Sequence, residues 1–177
     1  MKIAFVGPAA VGKDVASDYI AKKFNLAHIP TGDIVREYMT KNNLGELDRA
    51  NVRIIAKKMR DEQGGDIFVR IALKDNPDDV VLSGLRAVDE IYTLKKLGGK
   101  VIALDAPTEK RFEWAKIRGR IGDHISFEEF KAIEKKEYEN KDKNGQNVAR
   151  VMALADFQVM NDSDLESLFK KLDTLNL

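Results

Sequence analysis

The apolar positions of this chain follow two rhythms. Short unbroken runs, Ile3-Ala4-Phe5-Val6, Val80-Val81-Leu82 and Val101-Ile102-Ala103-Leu104, have the length and residue types of strands buried on both faces. Between them the spacing turns helical. Val15, Tyr19, Ile20 and Phe24 predict a first helix, and Ala27-His28-Ile29-Pro30 a short extended segment. Thr31-Gly32-Asp33 opens a helix carrying Ile34, Val35, Tyr38 and Met39, and Asn42 to Gly45 ends it. Val52, Ile55, Ala56 and Met59 mark another, broken at Gly64-Gly65. Asp66 is expected to cap the next, with Ile67, Phe68 and Ile71 on it. Asp75 to Asp78 is a turn cluster, and Val88, Ile91 and Leu94 define a helix closed by Gly98-Gly99. A helix from about Thr108 bears Phe112 and Ala115. Ser126 to Glu129 and Ser163 to Glu166 read as capping boxes, the second starting a terminal helix with Leu165, Leu168, Phe169 and Leu172. Val148, Val151, Met152 and Ala155 precede a last strand, Phe157 to Met160. Strands alternating with helices predict a three-layer α/β/α sandwich around a central parallel sheet.

Size and charge narrow the picture. At 177 residues, 44% apolar and 33% charged, the chain has the composition of one globular domain, and no linker, repeat or low-complexity tract divides residues 1–177. Lys plus Arg is 30 against 29 for Asp plus Glu, so no overall field argues for nucleic acid or a membrane surface. The absence of cysteine excludes disulfides and thiolate metal sites. The first predicted strand starts at Lys2 and no apolar run reaches the length of a membrane span, so a cytoplasmic protein is expected.

The strongest local signal is Gly7-Pro8-Ala9-Ala10-Val11-Gly12-Lys13-Asp14, set between the first strand and the first helix. G-x-x-x-x-G-K in that context is a phosphate-binding loop. Gly7 and Gly12 let the backbone wrap closely. The N–H groups of residues 9 to 15, through Ala9, Ala10, Val11 and Val15, then face a polyphosphate together with the helix's positive end. Lys13 adds a point charge for the outer phosphates. Asp14 stands where Ser or Thr would normally offer a hydroxyl to Mg²⁺. A carboxylate is also an oxygen ligand for that cation.

Three further stretches carry a resemblance. Thr31-Gly32-Asp33-Ile34-Val35-Arg36 is similar to the T-G-D-x-x-R segment with which adenylate kinases hold the acceptor monophosphate. Leu82-Ser83-Gly84-Leu85-Arg86 resembles the D-G-F-P-R of nucleoside monophosphate kinases and the D-G-x-R of archaeal adenylate-kinase-related proteins, with Ser83 replacing the Asp. Arg118-Gly119-Arg120 falls where these kinases have a lid over the transferring phosphoryl group, here short, about residues 118–140. The C-terminal Ala153-Leu154-Ala155-Asp156 leading to Asn161 resembles dephospho-coenzyme A kinase as well. Nearly the whole chain matches the archaeal adenylate-kinase-related pattern most evenly.

The resemblance implies a P-loop nucleotide-kinase fold, with ATP and Mg²⁺ as cofactors and a small-molecule acceptor. Thr31 and Gly32 would meet the acceptor, Arg36, Gly84 and Arg86 its phosphate, and the helices of about 31–75 would surround it. Arg118 and Arg120 would close over the reaction, with Lys13 completing the set of cations that phosphoryl transfer needs. Asp14 can make up for the carboxylate missing at Ser83. Asp33 is left two roles. It orients Mg²⁺-bound water if the acceptor is a nucleoside monophosphate, or takes a proton if the acceptor is a hydroxyl, as in dephospho-coenzyme A. A nucleotide-dependent switch or slow NTPase is the reading from a different class. His28 and His124 stand without companion ligands and are read as structural or surface residues. The run from Lys131 to Glu139 is read as a solvated helix face, with Lys131–Glu134 among its pairs. The chain is expected to be a monomer or homodimer.

Overall fold

The computed structural model describes residues 1–76, 78–119 and 124–177. In chain order the elements are β1 (Lys2–Val6), α1 (Lys13–Phe24), β2 (Ala27–Pro30), α2 (Thr31–Lys41), α3 (Arg49–Gln63), α4 (Ile67–Asp75) and β3 (Val80–Ser83). They continue as α5 (Val88–Lys96), β4 (Lys100–Asp105), α6 (Thr108–Arg118), α7 (Phe127–Tyr138), α8 (Val148–Ala153), β5 (Phe157–Met160) and α9 (Leu165–Asp173). The sheet order is β2-β3-β1-β4-β5 and every pairing is parallel. Among the described residues no helix is long and apolar enough to cross a membrane.

Successive residues of β1 point to opposite faces, and both faces are covered. Ile3 and Phe5 join Ile20, Ile102, Leu104, Leu168 and Leu172 in the cluster under α1 and α9. Ala4 and Val6 join Leu82, Leu85, Ile91 and Leu94 on the other side. A separate cluster, built on Val35, Met39, Met59 and Phe68, holds α2, α3 and α4 together at the β2 edge. Phe112 and Phe130, 5.6 Å apart, lock α7 onto α6.

The register puts the functional loops at one end. Phe5 pairs with Ser83 and Val6 with Ala103, so the segments leaving β1, β3 and β4 emerge side by side at the carboxyl edge. That is where open parallel sheets bind ligands.

Several local expectations are corrected. Of the positions expected to face the core from α1, Ile20 is buried, but Val15 and Phe24 are exposed and Ala16 and Ala21 are buried in their place. The terminal helix is capped by Asp164, whose carboxylate accepts from the Ser167 N–H, rather than by Ser163. Asp66 starts α4 but its side chain accepts from Arg70 and Thr93, not from the helix's own N–H groups. The Ser126–Glu129 capping box is present in both directions. The charge run is solvated only in part: Lys131, Lys135, Lys136 and Glu139 are exposed, and its other two glutamates are not. Lys131 pairs with Glu128, while Glu134 and Glu137 are buried against arginines of other helices.

Candidate functional site

The loop from Gly7 to Gly12 turns by alternating backbone handedness, with φ of 140° at Gly7, 57° at Ala10 and 91° at Gly12. A Cβ at Gly7 would meet the Leu104 carbonyl oxygen at 2.2 Å, and one at Gly12 the Asn161 amide at 2.8 Å. Glycine is therefore required at both positions by contact as well as by φ. Ala9 and Val11 are buried and anchor the loop, and Asn161 donates to the Val11 carbonyl at 3.1 Å. Lys13 folds back to donate to the carbonyls of Gly7 (3.1 Å) and Pro8 (2.6 Å). Burial, and next the Arg86 guanidinium, hold its pKa well below the ordinary lysine value. A buried ammonium pressed by a like charge is poised to gain from an arriving polyphosphate.

Beside Lys13, the Ser83 hydroxyl donates to Asp14 at 2.9 Å. On its other side it meets His28 Nε2 at 3.0 Å, and His28 Nδ1 meets Asp18 at 2.7 Å. Four side chains from β2, β3 and α1 thus form one hydrogen-bonded line along the cavity wall. Thr31 donates to the Ser83 carbonyl at 3.0 Å and is 4% exposed. Gly84, at φ 89°, leaves the space that a Cβ would take from the Thr31 hydroxyl, 3.2 Å away. Gly32 does the same for Arg36, whose Nη1 lies 3.0 Å from where a Cβ would be. That guanidinium is already paired with Asp33 at 2.8 Å.

The loop from Ala9 onward, the line from Asp14 to Asp18, Thr31, Gly32, Arg36 and Gly84 border one cavity of about 1340 Å³, which Gly7 does not line. Its far wall is α3 and α7. Arg49 pairs with Glu137 at 2.8 Å, with Arg53 at 3.8 Å from the same oxygen. Arg60 holds Glu90 at 2.9 Å, and the second Glu90 oxygen accepts from the N–H groups of Arg86 and Ala87. Burial lowers the Arg86 pKa below its ordinary value. Trp114, Ile117 and Leu165 form an apolar rim at the phosphate-loop end, next to Arg118.

A family profile described as an AAA domain matches residues 6–131. A UPF0200 protein of Hyperthermus butylicus is 34% identical over 169 residues, covering 93% of this chain and 87% of the relative. The UPF0200 protein MJ1399 of Methanocaldococcus jannaschii is also 34% identical, covering 98% of this chain and 87% of its own length. The chain belongs to the UPF0200 family. A UPF0200/UPF0201 protein of Archaeoglobus fulgidus is 33% identical over 96% of this chain, which spans only 53% of that relative's length. Among solved structures, shikimate kinase from Bacteroides thetaiotaomicron superposes with a TM-score of 0.65 at 17% identity, over 98% of this chain and 96% of its own. TT1252 from Thermus thermophilus gives 0.64 at 14% identity, over 98% and 94%. At that identity the likeness is one of fold, and the fold is that of P-loop kinases.

In this UPF0200 chain, Lys13, Asp14, Thr31, Gly32, Asp33, Arg36, Gly84, Arg86 and Arg118 all reach the cavity that the sequence assigns them to. Arg120 lies outside the described residues. Sequence analysis sets His28 aside, yet it stands in the wall between Asp18 and Ser83. Arg49, Arg53, Arg60, Glu90 and Glu137 line or support the site outside every sequence motif, and Asn161, part of the C-terminal motif, has no site role assigned to it there. The arginines did leave a signal. Positions 49, 53 and 60 fall on one stripe of α3, a basic line on a helix that buries Ala56 and Met59.

Proposed function

We propose that this chain is an ATP-dependent, Mg²⁺-requiring small-molecule kinase whose acceptor is a nucleoside monophosphate. The observation that carries the reading is the shared cavity: a phosphate loop with its buried Lys13, the Arg86 guanidinium close enough to press on it, and the α3 arginines in the same wall. The volume suits two small ligands side by side. ATP lies with its phosphates on residues 7–15 and its base against the rim of Trp114, Ile117 and Leu165. Arg86 and Arg36 receive the acceptor phosphate, between Thr31 and Gly84. Arg118 and Arg120 supply positive charge around the transferring group.

The oxygen donors beside Lys13 fit Mg²⁺, which needs few carboxylates and keeps its waters. Asp14 would hold it directly, and Asp33 through water. When bound, the ion neutralises phosphate charge. The Ser83 hydroxyl keeps the Asp14 carboxylate in one orientation, and Arg36 does so for Asp33.

The test is ADP release from ATP and Mg²⁺ against AMP, CMP, GMP, UMP, their deoxy forms, dephospho-coenzyme A and a blank. Stimulation by one or two monophosphates is the expected result. A response to dephospho-coenzyme A alone assigns Asp33 as a base for a hydroxyl acceptor. Equal turnover in every well, the blank included, makes the chain an NTPase.

A further inference from the structure

Around Arg86 the cavity wall holds more positive charge than the fold neutralises. Arg49, Arg53, Arg60 and Arg86 converge there, and the carboxylates that answer them are Glu90 and Glu137. At the rim, Arg36 and Asp33 cancel each other. Four guanidiniums against two carboxylates leave two positive charges in surplus.

The surplus has a location. Arg60 is 3% exposed, stacked 4.8 Å over Phe68, with Nε and Nη2 held by Glu90, and its Nη1 has no protein partner. Arg86 Nη1 is buried and unpartnered too. Two orphaned guanidinium N–H groups in one wall are expensive to keep unless a ligand meets them. Glu90 fixes the Arg60 guanidinium, and through the Arg86 and Ala87 N–H groups it fixes the backbone from which the Arg86 side chain leaves, before any ligand arrives.

We propose that Arg60 and Arg86 form a docking site for a dianionic phosphate monoester, and that Glu137 sets its charge selectivity. Glu137 is 4% exposed and occupies Arg49 and Arg53. By doing so it trims the wall's surplus to two, which matches a phosphate monoester and exceeds a single carboxylate. Each guanidinium offers a planar fork of donors to phosphate oxygens, which the point charge of a lysine does not reproduce. The inference deepens the kinase reading, since it makes the acceptor a phosphomonoester held by α3 as well as by Arg86. The site's own binding chemistry does not depend on ATP.

The experiment is calorimetric titration of inorganic phosphate, acetate and pyrophosphate into the full chain without nucleotide. It is repeated in a Lys13→Met background, so that phosphate on the loop does not contribute. Phosphate is expected to bind at least tenfold more tightly than acetate in both backgrounds. Arg60→Met paired with Glu90→Gln, which leaves no buried carboxylate unpaired, should weaken phosphate at least tenfold. Glu137→Gln, which keeps the shape and adds one surplus charge, should tighten pyrophosphate several-fold relative to phosphate. Phosphate affinity unchanged by the Arg60/Glu90 pair, or lost entirely with Lys13→Met, overturns the site. An unchanged or weakened pyrophosphate preference in Glu137→Gln overturns the selectivity role. Fluorescent-ATP binding is measured in parallel. Its failure with phosphate binding intact would retire the kinase reading and leave this site standing.

Discussion

At the scale of single residues, the exchange between positions 14 and 83 decides how a metal could be held. The nucleoside monophosphate kinases that the sequence resembles have a hydroxyl after the loop lysine and a carboxylate where this chain has Ser83, the last residue of β3, and this chain reverses them. The 2.9 Å hydrogen bond between Ser83 and Asp14 puts the two side chains at one spot, so either order supplies one carboxylate and one hydroxyl. Asp14→Ser should raise the Mg²⁺ needed for ADP release and cut turnover by roughly 100-fold, within the range for lost electrostatic positioning. Ser83→Asp alone crowds two carboxylates and should also impair it. The double variant should recover to within about tenfold of the parent, a coupling on the order of 1–3 kcal/mol between contacting residues. A double variant no better than either single removes Asp14 from the metal site. The exchange was visible in the sequence because both positions sit inside motifs. The His28 link was not, because Asp18 and Ser83 stand 10 and 55 residues away from it and no periodicity joins them.

At the scale of elements, α7 shows why a charged run is a weak guide to exposure. Its sequence alternates charges as a solvated helix would, but the face that carries Phe130 also carries Glu134 and Glu137 inward. Each meets an arginine from another helix: Arg111 of α6 for Glu134, Arg49 and Arg53 of α3 for Glu137. Partners so remote in sequence cannot be read from i,i+4 spacing. The Arg111–Glu134 pair is also buried against Phe130, which Arg111 approaches at 6.0 Å. Glu134→Ala leaves a buried guanidinium unpaired and should cost about 3–5 kcal/mol in urea unfolding. Replacing both, Arg111→Met with Glu134→Leu, should come within about 1–2 kcal/mol of the parent or exceed it, because the desolvation of two charges disappears together. Equal losses in the single and double variants would mean that the pair's hydrogen bonds, Arg111 to the Ala106 carbonyl included, matter more than its charges.

At the scale of the whole molecule, the alternation of buried strands and amphipathic helices was legible because a parallel sheet covered on both faces needs unbroken apolar runs. Both motif-bearing ends of the cavity were legible too. The strand order and the meeting of α3 with α7 were not, since they come from packing between segments that share no local pattern. The last 25 or so residues show how the chain's end is fastened, and that fastening is acid-sensitive. The Asp156 pKa is raised by burial but lowered more by hydrogen bonds from Lys95 and the Val101 N–H, for a net decrease. Lys171 lowers that of Asp162, and Lys23 followed by Tyr19 that of Asp173. A carboxylate whose folded pKa is depressed adds stability that is present above its ordinary value, about 4, and fades as the pH falls through the lower folded one. Asp173→Asn should therefore melt below the parent at pH 6, and the two curves should converge as the pH falls through the depressed folded pKa. Trp114, the chain's single tryptophan, packs against the cluster that holds Leu168 and Leu172 and so reports α9 by its emission. Acidification should red-shift that emission before the far-ultraviolet helix signal falls, because Asp162 and Asp173 tie both ends of the short α9, whereas α3 and α4, whose Asp61 and Asp66 are held below their ordinary pKa as well, also share the apolar cluster of Met39, Met59 and Phe68. Coincident transitions would mean instead that the sheet unfolds as one cooperative unit with its C-terminal edge.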